Sequence, residues 1–65
     1  MLEFRNVSPD CYEVLFDHAV MAYIFKEYGA WYLGKFNWIP ILHAADIHQL
    51  STFLSQLEAY PHGTE

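Results

Sequence analysis

Apolar and polar residues alternate along the first half of the chain, which is the period of a pleated strand. From Leu2 to Val7, Leu2, Phe4 and Asn6 fall on one side and Glu3, Arg5 and Val7 on the other. Ser8-Pro9-Asp10 then reads as a turn, with Pro9 presetting φ. A second strand follows over Tyr12–Phe16, with Tyr12, Val14 and Phe16 facing one way and Glu13 and Leu15 the other. Asp17-His18 is a polar break of hairpin length, without the usual glycine. Ala19–Glu27 is a third strand. Glu27-Tyr28-Gly29-Ala30 is a turn in which Gly29 can take positive φ, and Trp31–Phe36 is a fourth strand. Such short links pair sequence neighbours into an antiparallel meander.

The period then changes. Ile47, Leu50, Leu54 and Leu57 recur at helical spacing, with Phe53 flanking the stripe. With His43 as the N-cap, Asp46 falls at the third helical position, where a carboxylate meets the positive helix end. Leu42 and Ile47 are then placed as a hydrophobic staple. Pro61 is expected to end the helix, giving bounds of Ala44 to Ala59. The predicted fold is α+β, ββββα: an antiparallel meander with one C-terminal amphipathic helix on one face. Residues 1–60 form a single domain and 61–65 a flexible tail. The alternative is three strands, with the first segment an irregular arm.

One helix covers one face of such a sheet, so the other face should read polar. It does not. On the third strand Val20, Ala22 and Ile24 alternate with Met21, Tyr23 and Phe25, and both sets are apolar. On the fourth, Trp31 and Leu33 oppose Tyr32 and Phe36. A monomer rarely leaves an apolar patch beyond roughly 300–600 Å² in water. The second face, rich in Tyr, Phe and Met, is therefore expected to meet another protein chain, since interfaces gather aromatics and Met and shed charge. Tyr23, Phe25, Trp31, Tyr32 and Trp38 are the candidate partner-binding residues. The alternative is that the apolar Trp38–Leu42 linker folds over that face and buries it within the monomer.

Composition narrows the classes of function. Sixty-five residues, 54% of them apolar and 17% charged, make one small globular domain, too short for a multidomain enzyme. Three Lys+Arg against eight Asp+Glu give a net charge of −5, so direct nucleic-acid binding is not expected. The eight carboxylates are scattered, which reads as a solvated surface, with mimicry of a nucleic acid as the sharper alternative. The lone Cys11 excludes an intrachain disulfide and points to a cytoplasmic setting. Without a signal peptide or an apolar span, no membrane association is expected.

Catalytic chemistry finds little material. Cys11 beside His18, His43, His48 or His62 would make a thiol–imidazole pair, but a small buried thiol is the commoner role. His43 and His48 lie about 140° apart around a helix axis, so they share no metal-binding face. No metal, cofactor or catalytic residue is expected. The chain is similar in size and charge to the small acidic proteins of phages and other mobile elements, anti-CRISPR proteins among them. That resemblance implies an inhibitor that binds and blocks a host protein complex. Ala19–Tyr60, read as strand–strand–helix, resembles the sheet-and-helix part of HicB-type antitoxins, without their glycine-proline turn pattern. The expected function is thus a non-enzymatic protein–protein interaction module; the alternative is an obligate homodimer subunit or antitoxin-type domain.

Overall fold

In a computed structural model, the chain forms four strands and one helix, with residues 1–63 described in their backbone and 1–57 in their side chains. The strands are β1 (Leu2–Ser8), β2 (Cys11–Phe16), β3 (Ala19–Glu27) and β4 (Ala30–Gly34), followed by α1 (Ala44–Gly63). They pair antiparallel in chain order as a single sheet. The first segment is a full strand, so the reading of it as an irregular arm falls away. β4 ends two residues before the expected Phe36, because Lys35 turns into positive φ (53°) and leaves the pleat.

Two of the three hairpins close through two-residue loops with positive φ at both positions. Asp17 and His18 stand at 52° and 69°, Tyr28 and Gly29 at 54° and 80°. This is the primed turn whose twist matches that of the flanking strands. Asp17-His18 adopts it with no glycine, at the steric cost an L-residue carries in the left-handed region.

The core lies between the sheet and α1. Leu2, Val14, Met21, Ala22 and Ile24 are buried, with Phe4, Tyr12, Phe16, Trp31 and Leu33 from the sheet and Leu50, Phe53, Leu54 and Leu57 from the helix packed around them. Phe53 is the helix's central contact. Its ring stacks on Phe4 at 4.1 Å and meets Tyr12 edge-on at 5.1 Å.

Three expectations are corrected. Met21 does not share a face with Tyr23 and Phe25. Val14 pairs with Ala22 and Leu15 with Val20, leaving Met21 as the extra residue of a β-bulge. The bulge turns Met21 inward beside Ala22, 2% exposed, and moves Val20 to the opposite side of the sheet. Ile47 is not in the helix stripe. It is 55% exposed, because α1 is rolled so that Asp46, Leu50, Phe53 and Leu57 point at the sheet, leaving Ile47 about 100° from that line. The helix also runs on to Gly63, through Pro61. Of the expected tail, Thr64 and Glu65 lie outside the described residues.

The helix begins at Ala44 with the expected cap, but the expected staple is not made: Leu42 joins the core while Ile47 stays 55% exposed. The His43 carbonyl accepts from the N–H groups of Asp46 and Ile47, and the Asp46 carboxylate accepts from the His43 N–H at 3.3 Å. That return bond is the N3 half of a capping box, with the acid at the positive end of the helix. No helix among the described residues is long and apolar enough to cross a membrane.

Candidate functional site: the open face of the sheet

Strand register fixes which side chains share the face opposite α1. Arg5 pairs with Glu13, Glu13 with Tyr23, and Tyr23 with Gly34. Glu3 pairs with Leu15 and Leu15 with Val20, while Cys11 pairs with Phe25 and Phe25 with Tyr32. One face therefore carries Leu15, Val20, Tyr23, Phe25 and Tyr32 toward β4 and Glu3, Arg5 and Glu13 toward β1. Among the described residues no element of the chain packs over it, although Leu15 is only 8% exposed and Tyr23 and Phe25 are half-buried among their neighbours on the sheet.

The centre of this face is built on Phe25. Its ring lies 5.9 Å from that of Tyr32 and extends over Gly34, where an added Cβ would stand 3.4 Å from the ring. Lys35 places its ammonium 5.0 Å from the Phe25 centroid, within cation–π range. Tyr32 remains 47% exposed. On the β1 side the Arg5 guanidinium pairs with the Glu13 carboxylate, mutually neutralising the two. Apart from Lys35, the periphery is acidic: Glu3 stands on the outer strand, Asp10 and Asp17 in two turns, and Glu27 at the end of β3 before the third.

Of the five expected partner-binding residues, the structure brings Tyr23, Phe25 and Tyr32 together and places two elsewhere. Trp31 is on the helix side, packed against the core with its ring 5.7 Å from Tyr12. A stripe alternating with period 2 puts neighbours 31 and 32 on opposite faces, so both could not belong to one site. Trp38 closes the end of the core. Its indole N–H donates to the Val20 carbonyl at 3.0 Å and its ring meets Phe16 edge-on at 5.9 Å. The Met21 carbonyl receives the Asn37 N–H at 2.8 Å and the Trp38 N–H at 3.4 Å. The bulge residues therefore anchor the linker on the helix side, where Leu42 also joins the core. The linker does not fold over the Tyr23–Phe25 face. Leu15 lies on this face as alternation placed it, opposite Tyr12, Val14 and Phe16, whereas Val20 is the member that alternation missed, because the bulge at Met21 reverses the phase of the residues before it.

Among the described side chains the potential reactive groups stay apart, and His62 lies outside them. Cys11 begins β2, whereas His18 follows its far end and sits 3.1 Å from Glu3. His43 caps the helix and His48 lines a shallow groove with Phe4, Thr52 and Gln56. Among the described residues no three His, Cys, Asp or Glu side chains are grouped to hold a metal ion. Comparison with protein-family models, curated proteins and solved structures finds no match to this chain.

Proposed function

We propose that this protein is a non-enzymatic binding module that holds another protein chain against the open face of its sheet. The observation that carries the reading is the adjacency of Tyr23, Phe25 and Tyr32 on a face that, among the described residues, no element covers. Rigid strands hold these rings, so little side-chain entropy is lost when they are buried. Aromatic residues at the centre of such a patch supply most of the affinity in known interfaces. The acidic periphery and net charge of −5 favour a partner whose matching apolar surface is ringed by Lys and Arg. Occupying and thereby blocking such a surface is the mode of action implied by the resemblance to small acidic phage proteins.

The test is retention of a partner from cells of the native host by tagged protein, followed by reconstitution with the purified partner. The wild-type chain should retain it, Phe25→Glu should lose it, and Thr52→Glu, on the helix groove, should not. Equal retention by all three would reject the reading.

A further inference from the structure

The two edges of the sheet are protected very differently. On β1 the Gln49 side chain bonds both backbone groups of Leu2, Glu3 and Arg5 are charged, and the register breaks between Asn6 and Ser8 ahead of Pro9. These are devices by which proteins keep an edge from pairing. β4, Ala30-Trp31-Tyr32-Leu33-Gly34, has no charge, no proline and no irregularity in its register.

Its outward groups can be assigned. The Lys26 N–H donates to the Asp10 carbonyl at 2.8 Å, so Lys26 faces β2 and not β4. In an antiparallel ladder the orientation alternates. The partners of Lys26 and Ile24, which are Trp31 and Leu33, therefore direct their N–H and C=O groups away from β3. Among the described residues, nothing bonds to them from outside the sheet.

We infer that a second copy of this chain pairs antiparallel along β4, with a two-fold axis at Tyr32. Hydrogen bonding must then join Trp31 to Leu33 of the partner copy and Leu33 to Trp31, which uses all four outward groups. Tyr32 meets Tyr32 of the other copy in the close, non-hydrogen-bonded position. Charge selects this occupant. Glu27 ends β3 opposite Ala30, at one end of β4, and Lys35 follows the other end, so antiparallel self-pairing brings Lys35 of each copy to the corner of its partner that carries Glu27 on the neighbouring strand. A two-fold contact of this kind closes on itself. It produces an eight-stranded sheet in which the two open faces lie side by side. The pairing is made by the backbone edge, with Tyr32 alone of the face assigned to the partner above taking part, and it stands without that assignment.

Sedimentation equilibrium of the full chain over about 1–500 μM should give twice the 7.6 kDa chain mass at the upper end. Chemical synthesis with N-methyl-leucine at position 33 removes only an outward donor and keeps the side chain. It should weaken the dimer at least about tenfold, because the two-fold removes the bond twice. Lys35→Glu should also weaken it, and Lys35→Glu combined with Glu27→Lys should restore it, a readout that remains if the synthetic chain does not fold. Tyr23→Lys, on the open face but one strand in from the edge, should leave the dimer intact. A monomer throughout the range, a dimer indifferent to both the N-methyl group and the charge exchange, or a dimer lost in Tyr23→Lys would each overturn the proposal.

Discussion

The Gln49 carboxamide closes a two-bond ring with Leu2: its oxygen accepts from the Leu2 N–H at 3.3 Å and its nitrogen donates to the Leu2 carbonyl at 2.9 Å. A helix side chain thereby takes the place of a fifth strand at one residue of β1. The contact ties the first strand to the first half of α1, 47 positions along the chain, on the same helix that stacks Phe53 onto Phe4 and leaves Ile47 in water.

Replacing Gln49 by Ala should therefore cost more than a helix-surface substitution. Two part-buried bonds are worth about 1–2 kcal/mol in total, which in a domain of this size lowers Tm by about 5–15 °C. Gln49→Glu should be at least as damaging, since a carboxylate cannot donate to the Leu2 carbonyl. Thermal unfolding followed by circular dichroism measures both, and a Tm within 2 °C of wild type, roughly the effect of an ordinary surface change, would remove the contact from the account.

The bulge makes Met21 and Val20 opposite in consequence. Met21→Ala empties a filled core position and should cost about 2–4 kcal/mol, most of what a single small core supplies. Val20→Ala, on the open face, should cost about 1 kcal/mol or less. Urea unfolding of the two variants decides between this arrangement and simple alternation, which would give the reverse order.

The aromatic residues should separate by phenotype. Trp31→Ala should lower stability by about 2–3 kcal/mol because the ring packs on Tyr12 and the core. Phe25→Ala should cost less in folding and reduce partner affinity by at least about tenfold, a hot-spot-sized loss. Measuring unfolding and partner binding on the same two proteins checks the assignment of one residue to the core and the other to the site.

His18 holds φ at 69° in a turn position that glycine occupies without strain. His18→Gly should raise stability by up to about 1 kcal/mol, reduced by the greater freedom of glycine in the unfolded chain. The substitution also removes the imidazole's pairing with Glu3, which is solvent-exposed and adds little to stability. A fall in Tm for His18→Gly would show that this pairing matters more than the backbone strain.

The acidic periphery carries a prediction of its own. Affinity for a basic-rimmed partner should fall as salt rises from about 50 to 500 mM, over which the screening length drops several-fold. The aromatic contribution should persist, leaving a residual affinity that Phe25→Glu abolishes. Binding indifferent to salt would confine recognition to the apolar centre.

Local pattern alone determined the four strands, their order, the positions of the hairpin turns and the capped start of the helix, because each depends on period, turn chemistry or residues three apart. It also determined that a second apolar face exists, since one helix cannot cover two. Which residues form that face was decided by tertiary structure. One inserted residue in β3 turns Met21 inward and Val20 outward against the phase of Ala22–Phe25, and alternation carries no mark of a bulge at Met21. The places of Trp31 and Trp38 were settled in the same way, the first by the side of the pleat on which the helix lies, the second by carbonyls of Val20 and Met21 that became available only where the ladder shifts. Hydrophobic period reports that a side chain will be buried, but the partner that buries it is fixed by contacts between residues far apart in the chain.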